Sequence, residues 1–163
     1  MALGNRYKSA PGAGTLATLI LVLVFGSPWY SDWVNENTNP NTAGGWWLRL
    51  LAWPHWTFNS NDSLREIIVG DLRAILLIVL TALFLFLLPG SQLARARGTI
   101  SQFFAGWAAY IFASGFAALL TGLFFSNPSL LHAFELAGGG ASYGIFVGWV
   151  IGLATLGGRR GTR

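Results

Sequence analysis

The chain has 163 residues, enough for one domain and too few for two comfortable ones. Hydrophobic residues make up 53% of it and charged residues 10%, against about 25% charged in soluble globular proteins, so lipid rather than water is the solvent this composition suits. The absence of cysteine excludes disulfides, thiolate metal sites, haem attachment and thiol redox chemistry. The net charge of +4 and pI near 10.1 do not point to nucleic acid, because Lys and Arg stand in short clusters between apolar runs instead of on one solvated face. Arg supplies nine of the ten basic residues and Gly and Ala abound, a composition expected of a GC-rich bacterial genome.

Arg6 and Lys8 lead into a charge-free run over residues 16–25, and a first membrane span is expected over 12–30, since about twenty helical residues cross a bilayer core. A signal peptide cleaved after Gly26 is the alternative for this segment and leaves the remaining topology unchanged. The stretch 31–69 reads as a long outer loop, with Asn35, Asn37, Asn39, Asn41, Pro40, Gly44 and Gly45 signalling irregular backbone. Trp46, Trp47, Trp53 and Trp56 fall inside it. They suit either a short helix on the membrane surface, where indole is at home, or a packed cap over the helices.

Ser63 and Glu66 have the spacing of a capping box ahead of Ile67, Ile68 and Val69. The second span is expected over 70–89, stopped by Pro89 and Gly90, with Arg73 near its outer end and able to snorkel toward headgroups. A basic loop with Arg95 and Arg97 precedes a third span over 100–125. A short outer loop, 126–135, holds His132 and Glu135, and a fourth span over 136–156 runs into a tail with Arg159, Arg160 and Arg163. Seven of the ten basic residues then fall on the side of the two termini, whereas Asp32, Glu36, Asp62, Glu66, Asp71 and Glu135 all fall on the other. The positive-inside rule therefore predicts a multi-pass plasma-membrane protein with both termini cytoplasmic. The expected fold is an all-α bundle of four transmembrane helices with a Trp-rich extracytoplasmic loop.

Two stripes of small residues stand out. Gly140, Gly144, Gly148 and Gly152 recur every four residues in the last span, and Ala105, Ala109, Ala113, Ala117 and Thr121 do so in the third. In lipid, where no hydrophobic force joins helices, such stripes permit the close backbone approach that drives association. They suit a tight hairpin of the third and fourth spans, or a face for self-association or for another membrane protein. His132 and Glu135 share a helix face, but two ligands do not make a metal site and His55 lies in a distant loop. No metal, cofactor or catalytic residue is expected: no H-E-x-x-H, G-x-S-x-G or P-loop motif occurs, and the expected span centres carry no ionisable group of the kind that marks an ion pathway.

These readings predict a non-enzymatic accessory, assembly or interaction subunit of a larger membrane complex. Its expected partners are the lipid bilayer and other integral membrane proteins or further copies of itself, with Trp46, Trp47, Trp53, Trp56, Arg73, His132 and Glu135 at the interface. The alternative is a small homo-oligomeric transporter or channel for an uncharged or lipid-like substrate, assembled along the Gly140 to Gly152 stripe.

Overall fold

The computed structural model describes residues 10–56, 63–91, 99–124 and 129–160, and among them every regular element is a helix. They are α1 (Ala10–Ile20), which continues as a π-helical turn (Leu21–Phe25), α2 (Pro28–Asn37), α3 (Ala43–Leu51), α4 (Leu64–Ser91), α5 (Thr99–Gly122), α6 (Leu130–Val147) and α7 (Trp149–Arg160). The apolar stretches Leu64–Leu87 and Ile100–Gly122 are each long enough to cross a membrane. The pairs α1–α2 and α6–α7 bend by 62° and 52°, so the number of spans is two, or up to four if each bent pair is one.

Local chemistry accounts for most boundaries. Ser27 caps α2 by accepting the Tyr30 N–H (3.3 Å), and Pro28 opens the helix, where a missing N–H costs nothing. Thr42 caps α3 through the Gly45 N–H (3.1 Å), and Ser129 caps α6 through the His132 N–H (3.0 Å). The Ser63 capping box forms in full. Glu66 Oε2 accepts the Ser63 N–H (3.0 Å), while Ser63 Oγ takes the Glu66 N–H (3.3 Å).

The helices depart from the expected spans at identifiable residues. The first helix stops at Phe25 instead of 30, because Ser27 and Pro28 start a new one. Among its described residues segment 31–69 is mostly helical: Asn35 and Asn37 belong to α2, and Asn39 and Asn41 to the turn after it, where Asn39 Oδ1 accepts the Asn41 N–H (2.9 Å). Gly45 belongs to the first turn of α3, where an added Cβ would lie 2.0 Å from the Asn39 carbonyl oxygen. α4 starts at Leu64, where the capping box puts a helix start, six residues ahead of the expected membrane span 70–89, and it runs through Pro89 and Gly90 to Ser91. A proline in the last turn removes one hydrogen bond without ending the helix. α5 ends at Gly122, short of 125, and α6 begins at Leu130, inside the expected loop 126–135. The expected fourth span, 136–156, is interrupted at Gly148.

α5 is central, packing against α4, α6 and α7, and α1 lies between α4 and α7. At the end where α1 begins, α1, α4, α5 and α7 therefore close a circuit. Gly14 of α1 marks its centre: an added Cβ would meet Leu85 Cδ1 at 2.6 Å and Thr155 Cγ2 at 3.0 Å. Higher up, α2, α3 and the chain to Trp56 pack into the same core, since Tyr30, Val34 and Leu51 share one buried cluster with Val22, Leu77, Tyr110, Tyr143 and Val147. The buried hydroxyls of Thr18, Thr81, Ser114, Thr121 and Thr155 each donate to a carbonyl of their own helix, at 2.7–3.1 Å. Among the described residues no buried side-chain nitrogen or oxygen lacks a partner, the condition a low-dielectric interior imposes.

Candidate functional site

The closest helix contact is the seam of α5 with α6 and α7. A Cβ added to Gly140 would lie 2.4 Å from the Ser114 carbonyl oxygen, one on Gly144 2.6 Å from Ile111 Cα, and one on Gly152 2.7 Å from the Phe103 carbonyl oxygen. Backbone thus lies against backbone, an approach only glycine allows. The four glycines pack on α5 within the chain, so that face is occupied. Their counterpart on α5 is the row Phe103, Trp107, Ile111, Ser114 and Ala118, not the Ala stripe matched to them above. Ala105, Ala109, Ala113 and Ala117 are buried one face over, the last three in the common core. A four-residue period identifies a small face, but on a helix with three neighbours it does not say which neighbour that face meets.

Both bends share one device. In α6 a Cβ on Gly148 would meet Trp107 Cδ1 at 2.8 Å, and the Trp107 indole N–H donates to the Ile145 carbonyl (3.0 Å). In an unbroken helix that carbonyl would take the amide of residue 149. After α1 a Cβ on Gly26 would meet the Pro54 carbonyl oxygen at 2.5 Å, and the Trp56 indole N–H donates to the Val22 carbonyl (3.1 Å) while its backbone N–H donates to Gly26 (2.8 Å). At each break a glycine admits a neighbouring segment and an indole satisfies a backbone carbonyl, which suits a site away from water.

The Trp-rich segment packs onto α6. Trp46 meets Phe146 edge-on (5.0 Å between ring centroids), and Trp53 lies on Tyr143 (4.5 Å) and beneath the Arg73 guanidinium (6.0 Å). Trp47 is half-buried against the core. Arg73 is the tenth residue of α4, and its Nε donates to Thr121 Oγ1 (3.1 Å), one residue before the end of α5. The hydroxyls of Tyr110 and Tyr143, both buried, are 3.0 Å apart.

Arg49 locks α3 to the end of α2. Its Nη1 donates to Asn35 Oδ1 (2.9 Å), its Nη2 to the carbonyls of Asn35 (3.0 Å) and Thr38 (2.9 Å), and its Nε to Thr38 Oγ1 (3.2 Å). A cation on the last carbonyls of a helix is favoured by the helix dipole. The Tyr30 hydroxyl adds a second tie by donating to the Leu48 carbonyl (3.0 Å).

His132 and Glu135 stand together on the surface of α6, Nδ1 to Oε2 at 3.6 Å, with both side chains exposed. A pair of this kind contributes little to stability. Among the described residues no three His, Asp or Glu gather as metal ligands. Arg6, Lys8, Arg95, Arg97 and Arg163 lie outside the described residues.

Trp107, Tyr110, Tyr143, Thr121 and Arg49 are structurally central, yet sequence pattern did not single them out for these contacts. Each makes its contact across 11 to 48 positions, a range that periodicity does not report. Comparison with protein-family models, curated proteins and solved structures found no match to the chain.

Proposed function

We propose that this chain is a non-catalytic accessory or assembly subunit of a larger complex in a bacterial plasma membrane, crossing it four times with both termini in the cytoplasm. In this reading each bent helix pair counts as one span. The proximity of Gly14 to Thr155 brings the start of α1 and the end of α7 to one side, as an even number of crossings requires. The seven-to-three split of basic residues makes that side cytoplasmic.

The observation that carries the reading is the second, open face of α6. Gly138 and Gly139 have nothing within 4 Å of where a Cβ would sit. Leu131, Phe134, Ser142, Ile145 and Phe146 are exposed around them. Small residues set among large apolar ones offer a neighbouring helix a close approach. The homo-oligomeric transporter reading relied on the Gly140 to Gly152 stripe, which α5 covers.

Purification of the intact protein from its native membrane in mild detergent, with quantitative mass spectrometry, tests the proposal. The expected result is a set of larger membrane proteins at fixed stoichiometry, lost in a Gly138→Leu, Ser142→Leu variant of unchanged helix content. Recovery of a stable, partner-free monomer with measurable turnover would overturn it.

A further inference from the structure

α2 presents three pairs of residues one helical turn apart, each pair on its own side of the helix. Tyr30 and Val34 are buried in the common core. Asp32 and Glu36 are exposed on the side away from it. Trp29 and Trp33 are exposed too, at 73% and 41%, and together they leave a wide aromatic surface uncovered. The indole N–H groups of Trp56 and Trp107 donate to backbone carbonyls, whereas those of Trp29 and Trp33 have no acceptor among the described residues. Just before them in the chain, Leu16, Leu19, Ile20, Leu23 and Val24 are exposed along α1 and its π-helical turn, an apolar surface suited to lipid.

We infer that α2 lies along the membrane surface and anchors there, with the rings of Trp29 and Trp33 in the headgroup layer and the carboxylates of Asp32 and Glu36 in water. From Ala10 to Phe25 the helix rises roughly 24 Å, most of a hydrocarbon core of about 30 Å, so the residues that follow stand near the far boundary. The 62° bend then turns α2 aside. With α1 upright, α2 climbs only about 7 Å along its length of roughly 15 Å, the thickness of one headgroup layer. Arg49 and Tyr30 tie it to α3 in that position. Indole suits this level because its ring is apolar while its N–H finds acceptors in phosphate and ester oxygens. The helix holds two carboxylates and no basic residue, so its attraction to the surface comes from the rings and not from anionic lipid charge. The inference rests on the reading that α1 crosses the membrane, and does not depend on an accessory role.

The test exploits the absence of cysteine. Ile20→Cys, Val24→Cys, Asp32→Cys and Trp33→Cys, all at exposed positions, each carry one nitroxide label on the full chain in phosphatidylcholine vesicles. Depth is read from collision of the label with oxygen, which concentrates in hydrocarbon, and with a nickel chelate, which stays in water. Oxygen should dominate at position 20 and less so at 24, both reagents should reach position 33, and nickel should dominate at 32. Trp29→Cys should give the same reading as Trp33→Cys, and it decides alone if the latter does not fold. Adding Trp29→Ser to Trp33→Cys removes the remaining indole and should raise nickel access at 33 toward that at 32. A label at 33 as wet as the one at 32, as oxygen-dominated as the one at 20, or reached by neither reagent overturns the inference, the last because protein would then cover the face. An unchanged reading in the Trp29→Ser background overturns the anchoring role. Nickel access at position 20 is a separate failure: α1 would not cross the membrane, and the span reading would fall first, taking the inference with it.

Discussion

The seam between α5 and α6 and the aromatic segment from Gly26 to Trp56 are built on opposite principles. The seam joins two regular helices through residues that have almost no side chain, so contact comes from backbone approach: Gly140 against Ser114, Gly144 against Ile111. The aromatic segment has two short helices and uses the largest side chains in the chain, with Trp46 on Phe146 and Trp53 on Tyr143. Polar ties from Arg49, Tyr30 and Trp56 hold it together. A seam built on absent atoms tolerates no addition, because each new atom meets backbone. A segment built on many separate contacts can lose one and keep the rest.

The sharpest way to break that comparison is Gly144→Leu. A Cβ there already lies 2.4 Å from Ser114 Oγ and 2.6 Å from Ile111 Cα, and Ile111 Cα is backbone that cannot rotate away. Destabilisation of more than about 4 kcal/mol is expected, at the extreme of single substitutions, and seen as failure to obtain a monodisperse helical species in detergent. A variant that purifies with unchanged thermal unfolding by circular dichroism would show that the seam is looser than its distances imply.

The same contrast explains how much was legible in the sequence. The apolar runs of α4 and α5 and the Ser63–Glu66 capping box are local patterns, and they located those elements to within a few residues. The Gly140 to Gly152 period identified a packing face because every fourth position returns to one side of a helix. Its partner row on α5 was missed, since Ala109 and Ser114 sit on adjacent faces and both are compatible with close packing. The contact of Arg73 with Thr121 spans 48 positions, beyond the reach of any local pattern. The bends escaped detection for the same reason. Gly26 and Gly148 are ordinary in composition, and only the arrival of Trp56 and Trp107 from distant positions makes them breakpoints.

In the aromatic segment the expected effect is smaller. Arg49→Ala removes all four hydrogen bonds that join α3 to the end of α2, but the side chain is partly exposed and water can replace some of them. A loss of about 1–2 kcal/mol is expected, the range for a hydrogen-bonded charge after solvent exchange. Arg49→Lys should recover only part of it, because an ammonium lacks the fork that reaches Asn35 and Thr38 together. The check is the thermal unfolding midpoint of both variants. Equal midpoints for Arg49→Ala and the unaltered protein would mean that the aromatic packing and the Tyr30–Leu48 hydrogen bond hold α2 to α3 without Arg49.

The smallest effect sharpens the comparison within a single helix. Gly138 lies in α6 as Gly140 does, two residues away, but nothing stands within 4 Å of its absent Cβ. Gly138→Ala therefore adds a methyl group to open space and removes backbone freedom from the unfolded chain, which favours the helix by about 0.5–1 kcal/mol. Gly140→Ala drives the same methyl group to 2.4 Å from the Ser114 carbonyl oxygen and should destabilise. Measured side by side in detergent, the two substitutions must change the unfolding midpoint in opposite directions. If both lower it, the face at Gly138 is already covered in the isolated protein, and the open surface on which the proposed partner would dock is not open.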